Sequence, residues 1–166
     1  MKKIGVVLCL LILAAGAAFA ADPAEGYWLS IDDKTGQVTA GWEIYVNGGR
    51  LQGKILSAVG AKQSDLAVKC KDSYKEFPLS GKVSQMPILG TPWIFALSPD
   101  KGPGAWVSGY VIDPSKGDIY TSRITFHATD GKTYKVDTLE MRGSIGPFGK
   151  SQYWQKTTRE QASALK

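Results

Sequence analysis

Histidine and cysteine supply most of the acid–base and nucleophilic chemistry available near neutral pH. This 166-residue chain holds one histidine and two cysteines. A nucleophilic mechanism needs a serine or cysteine with a base in reach and a third group to orient that base. His127 is the single imidazole. In an extended segment it shares a face with Ile119, Thr121, Arg123 and Thr125, a largely polar set that reads as solvent-facing. Transition-metal sites gather several histidine, cysteine or carboxylate ligands, so this supply argues against one, and no metal or other cofactor is expected. Asp32, Asp33, Asp113, Asp118 and Asp130 stand in turn-like stretches, where aspartate serves the turn itself. There is no phosphate-cradling glycine loop. The glycine-rich run 143–149 lies between two strand-like segments and reads as a tight turn. No residue is assigned a catalytic role. A hydrolase built on paired carboxylates ranks last, because no spacing supports one and pairing in space is invisible in sequence.

The elements that must position these residues begin after the first twenty. Lys2 and Lys3, an apolar run from 4 to 15, and Ala18-Phe19-Ala20 have the order of a secretory signal peptide cleaved near Ala20. The expectation is a periplasmic or secreted protein. No later run approaches the roughly 18 apolar residues that a spanning helix needs. Removing the leader takes two of the formal charges from +5 and leaves +3. The remaining lysines are scattered among acids, which is no footprint of nucleic-acid binding. Cys9 leaves with the leader and Cys70 remains alone. Two readings stay open for Cys70: a buried small hydrophobe, or a thiol for intermolecular or redox chemistry, its pKa lowered by Lys69 and Lys71.

The remaining residues support one domain with a core. Val38, Ala40, Trp42, Ile44 and Val46 alternate with more polar residues, the mark of a half-buried strand, and Asn47-Gly48-Gly49 makes a hairpin turn. Residues 25–30, 51–55, 93–97, 105–112, 119–128, 133–142 and 151–157 are the other expected strands. The charged stretch 60–78 reads as a long connection with one short helix over 64–69. The expected fold is all-β: a single antiparallel barrel of about eight strands over residues 21–158, followed by a polar tail over 159–166.

The residues Trp106, Gly109, Ile112-Asp113-Pro114, Gly117, Tyr120, Leu139, Arg142-Gly143 and the closing Gly149-Lys150-Ser151-Gln152-Tyr153-Trp154 resemble an exported bacterial family catalogued as domain of unknown function 2147. The resemblance runs from about Gly26 to Trp154. It implies a lipocalin-like barrel of the calycin group, and Gly26-Tyr27-Trp28 matches the G-x-W of a lipocalin first strand. In that pattern Gly26 and Trp28 close one end of the barrel and a late arginine covers the indole. Arg142 is the first choice and Arg159 the alternative. The chain departs from the family in having one mid-chain cysteine, and in ending Trp154-Gln155-Lys156 where other members place an arginine soon after the tryptophan. The family transfers a fold and a location, with no activity.

Two functional readings follow. In the first, the barrel holds a small apolar or amphipathic, lipid-like molecule, lined by Trp42, Trp106, Tyr110 and Trp154. In the second, these rings fill the core, and the protein is an envelope structural or interaction module working through its outer surface. Trp42 is expected to share a face with Val38 and Ile44, and Trp106 with Tyr110 and Ile112.

Overall fold

The computed structural model describes residues 21–166; the leader expected over residues 1–20 lies outside the described residues. Eight strands form one closed antiparallel barrel in chain order, with β8 returning to β1. They are β1 Gly26–Ile31, β2 Val38–Asn47, β3 Arg50–Ala58, β4 Pro92–Pro99, β5 Ala105–Asp113, β6 Asp118–His127, β7 Thr138–Ile145 and β8 Phe148–Thr157. A four-residue helix, α1, spans Arg159–Ala162. Closure leaves no unpaired sheet edge. Among the described residues, no helix is long and apolar enough to cross a membrane.

One contact settles which face is inside. The ring of Trp28 on β1 lies 6.2 Å from that of Phe126 on β6, edge to face. β1 and β6 are not neighbours in the sheet, so the contact crosses the lumen. Register then carries the inner face around the barrel. Trp28 pairs with Trp42, Ile44 with Gly53, Ile124 with Met141, and Leu139 with Trp154. The alternation expected over 38–46 buries Ala40, Trp42 and Ile44 on the inner face, while Val46 at the strand end is exposed.

Two bulges divide the barrel wall. Ala96 on β4 and Ser108 on β5 both take positive φ, at 63° and 59°. The β5–β6 register slips between Trp106 and Gly109. A bulge inserts one residue and so exchanges the faces beyond it. Trp106 therefore points inward, but Gly109 and Val111 follow it on the inner face while Tyr110 and Ile112 turn outward. The shared face expected for Trp106, Tyr110 and Ile112 is broken at this point.

The outward aromatics are covered by the connection over residues 59–91. Phe77 from that connection packs 5.1 Å from Phe95 and 6.1 Å from Trp93, and Phe95 packs 5.6 Å from Tyr110. Trp93 donates its indole N–H to the Ile88 carbonyl at 2.7 Å. The helix expected over 64–69 is absent. Turns and a bridge between Leu66 and Pro87 occupy that stretch, and a single 3-10 turn forms at Val83–Gln85. The segment gains more from docking apolar side chains on β4 and β5 than a short isolated helix could supply. Gly117, in the β5–β6 turn, permits the closest approach: its φ is 82°, and a Cβ there would strike the Lys69 carbonyl.

Three other boundaries differ from expectation. The strand expected over 133–142 starts only at Thr138, because residues 128–137 form a loop pinned by Asp130, whose carboxylate accepts the Lys132 and Tyr134 amides. The corner expected over 143–149 is a tight hairpin: β7 runs to Ile145, and Gly146-Pro147 turns into β8. The tail after Thr158 is docked, with Ala162 fully buried. Thr158 and Gln161 make a reciprocal capping box, and Ser57 donates its hydroxyl to the Ala162 carbonyl at 2.7 Å.

Candidate functional site: the barrel interior and its two ends

The lower end of the barrel, where β1 begins, is sealed by residues 21–25. Asp22 holds this plug in place. Its carboxylate accepts the amides of Ala24 at 2.9 Å and Gly104 at 3.0 Å and the indole N–H of Trp106 at 3.1 Å. Trp28 donates its indole N–H to the Ala24 carbonyl at 2.9 Å. Glu25 accepts the Val46 amide at 2.8 Å. Each buried donor thus has an acceptor, so the end is closed without an orphaned polar group.

The cation on Trp28 is Lys156. Its ammonium lies 4.4 Å from the indole centroid and donates to the Glu25 carbonyl at 2.7 Å. This corrects the assignment to Arg142 or Arg159. Arg142 is exposed on the outer face of β7, with its guanidinium toward Ser151, and Arg159 opens α1. Lys156 stands directly opposite Trp28 in the β1–β8 ladder, so its stem is delivered to the indole by register. Burial pushes its pKa below the ordinary lysine value, with Asp137 and Glu25 opposing. Gly26 makes room: its φ is 119°, and a Cβ there would sit 2.8 Å from the Lys156 nitrogen.

The lower and middle interior is filled by side chains. Trp28, Leu51, Ile94, Leu97, Ile124 and Leu139 have no exposed surface. At Gly53 an added Cβ would lie 2.5 Å from Ile44 Cδ1 and 3.0 Å from Ile94 Cδ1, and at Gly109 it would lie 2.6 Å from the Phe95 carbonyl oxygen. At these two positions the interior has no room for a methyl, as in a well-packed core.

Of the four candidate ligand-lining residues, three face inward and one does not. Trp42 and Trp154 are 7% and 2% exposed and stack at 4.9 Å with planes 25° apart. Trp42 donates to the Ser30 hydroxyl at 3.3 Å and Trp154 to the Gln152 side chain at 3.2 Å. Trp106 is 5% exposed and committed to the plug. Tyr110 lies on the outer face, under the connection. Above the Trp42–Trp154 stack, the inner-face residues Val111, Tyr120, Gly143 and Gln152 are only half-buried. They form the mouth, at the end opposite the plug. A Cβ on Gly143 would meet Tyr120 at 3.5 Å and Val111 at 3.8 Å, so the three are neighbours with ordinary space between them.

The outer wall holds a serine, a glutamate and a histidine in contact. Ser151 donates to Glu140 Oε1 at 2.7 Å, and His127 Nε2 meets Glu140 Oε2 at 3.1 Å. The order is wrong for nucleophile activation, because the carboxylate stands between the hydroxyl and the imidazole. Burial alone would raise the Glu140 pKa, but the hydrogen bonds from Ser151 and His127 outweigh it and hold the carboxyl below its ordinary value. His127 stacks on Tyr134 at 4.5 Å, so this cluster ties the 128–137 loop to the wall. Cys70 is buried in the outer cluster. Burial pushes its thiol pKa up, against a hydrogen bond with Tyr74; the lowering expected from the flanking lysines is absent.

Asp22, Glu25 and Lys156 were not singled out from the sequence. For Asp22 nothing local reports a partner eighty-four positions away at Trp106. For Lys156 a signal existed, since it follows Trp154 where the resembling family places arginine.

Residues 26–156 match the family described as "Uncharacterized protein conserved in bacteria (DUF2147)". No curated protein matches. A solved structure described as "Protein HP1028 from the human pathogen Helicobacter pylori belongs to the lipocalin family" superposes with a TM-score of 0.60 at 17% identity, covering 83% of this chain and 85% of that one. At that identity the likeness is one of fold.

Proposed function

The chain belongs to the DUF2147 family, and from its lipocalin-like barrel we propose an exported binding protein that takes a small apolar or amphipathic molecule at the barrel mouth. The observation that carries the site is the contrast along the lumen. Side chains fill it from the plug to the Trp42–Trp154 stack, whereas Val111, Tyr120, Gly143 and Gln152 above the stack remain half-open. An aromatic floor under a partly polar rim suits a ligand with an apolar end and a polar end. Export is supported by the order of Lys2, Lys3, the apolar run and Ala18-Phe19-Ala20, which would place the mature protein in the periplasm or outside the cell. Binding rather than catalysis is favoured because His127, Glu140 and Ser151 are arranged as a structural tie and the thiol of Cys70 is buried.

Native mass spectrometry of the protein purified from its own host, followed by solvent extraction, tests the reading. The expected result is a co-purifying amphipathic molecule that is lost in Gly143→Trp, whose indole would fill the mouth. A second reading is favoured by the solid interior itself: a barrel filled by its own side chains is also what an interaction module would need. A wild-type protein that emerges empty and takes up no amphipathic probe would overturn the mouth site and leave the interaction module.

A further inference from the structure

We propose that the tip of the β7–β8 hairpin docks on a phospholipid surface, with Ile145 and Phe148 entering the headgroup–acyl boundary and Arg142 engaging lipid phosphate. Exposed large apolar side chains are ordinary when scattered and informative when they cluster. Phe148 is 80% exposed and Ile145 60% exposed, the former the most exposed large hydrophobic side chain among the described residues. They are cross-strand partners at the end of the ladder, so their side chains leave the hairpin on the same face. Gly146-Pro147 between them adds no charge and no long side chain to the tip.

Charge behind the tip selects the partner. Gly149 follows Phe148, and an added Cβ there would lie 2.8 Å from an Arg142 terminal nitrogen and 3.0 Å from its Cζ. The missing side chain lets the guanidinium lie along the outer face of the hairpin, one residue behind the phenyl ring, which leaves from the opposite face. One strand residue is roughly 3.3 Å. That offset suits a ring at the acyl boundary with a cation among the headgroups, where interfacial elements sit about 5–10 Å deep. Arg123 pairs directly with Arg142 across β6 and β7, and both are exposed. Like charges side by side cost energy unless an anion joins them. Guanidinium forks match phosphate oxygens in pairs. The acids nearby are already engaged: Asp33 with Lys150 at 2.6 Å, and Glu140 with His127 and Ser151. A second copy of this face would instead desolvate the arginine pair, because its own acids here are engaged. This inference does not depend on a ligand in the mouth.

The barrel, its plug and α1 all lie within residues 21–166, so that span is the protein to test, free of the apolar leader. Co-flotation with vesicles of phosphatidylethanolamine and phosphatidylglycerol reads the binding. Wild type should float with the vesicles. Ile145→Ser combined with Phe148→Ser should reduce the bound fraction about tenfold, and Arg142→Gln several-fold with a weaker salt dependence. Both substitutions are on exposed side chains, and unchanged circular dichroism verifies the fold. Arg142→Gln changes only the outer face and should leave uptake of a fatty-acid probe at the mouth unchanged, so failure of the mouth site and failure of the tip are read separately. Wild type that does not float overturns the proposal. So does flotation that survives the tip substitutions, or a tip-dependent dimer in sedimentation without vesicle binding.

Discussion

At the lower closure, Lys156 covers the indole of Trp28 beside the plug that Asp22 anchors. Truncation to alanine removes its stem and ammonium from Trp28, which should cost about 0.5–1 kcal/mol at this exposed site. Lys156→Arg should retain most of that. The pH dependence has a definite sign. Burial holds the Lys156 pKa below 10.5, so between its folded value and 10.5 the unfolded chain binds more protons than the folded one. Raising the pH through that window should therefore stabilise wild type relative to the non-titrating Lys156→Met. Thermal melts of both proteins at pH 7 and pH 10 measure it, and a gap that moves the other way would contradict the placement of the ammonium. The closure was half legible in sequence. Gly26-Tyr27-Trp28 announced the indole and the need for a cation, but choosing the cation required the β1–β8 register, which puts Lys156 rather than Arg142 opposite Trp28.

At the scale of elements, α1 is held by what it touches. Four helical residues do not persist alone in water. Gly41 on the outer face of β2 lies so close that an added Cβ would run into the Ala162 carbonyl. Gly41→Val should therefore expel α1, cost about 1–3 kcal/mol, and abolish hydrogen-exchange protection at residues 162–165 while the barrel amides stay protected. Retained protection there would show that the helix can be accommodated elsewhere. The strands themselves were readable because alternation over 38–46 and the turns near Asn47-Gly48-Gly49 and Gly117 are local signals. The outward turn of Tyr110 was not. It depends on two facing bulges at Ala96 and Ser108, neither a glycine, that only tertiary pairing reveals. The aromatic residues Tyr74 and Phe77 of the connection gave no period to read, because they pack as single anchors on β4 and β5 and not as an element.

On the whole-molecule scale one hydrophobic core runs on both sides of the barrel wall, an inner part in the lumen and an outer part under the 59–91 connection. The inner part is closed below by Asp22 and Lys156 and open above at Val111, Tyr120, Gly143 and Gln152. That polarity is the central claim, and it separates a barrel with a mouth from a hollow container. Alternation and turn spacing foretold the architecture but not the polarity, since Trp42, Trp106 and Trp154 look alike in sequence and differ only in depth. The direct measurement is a nuclear magnetic resonance titration of residues 21–166 with a medium-chain fatty acid as the amphipathic probe. Saturable shifts at the Val111, Tyr120, Gly143 and Gln152 amides and at the Trp42 and Trp154 indole N–H signals, with the Trp28 and Trp106 indoles unmoved, are the predicted result. Largest shifts at Trp28 and Trp106, marking a ligand inside the lower barrel, would contradict it.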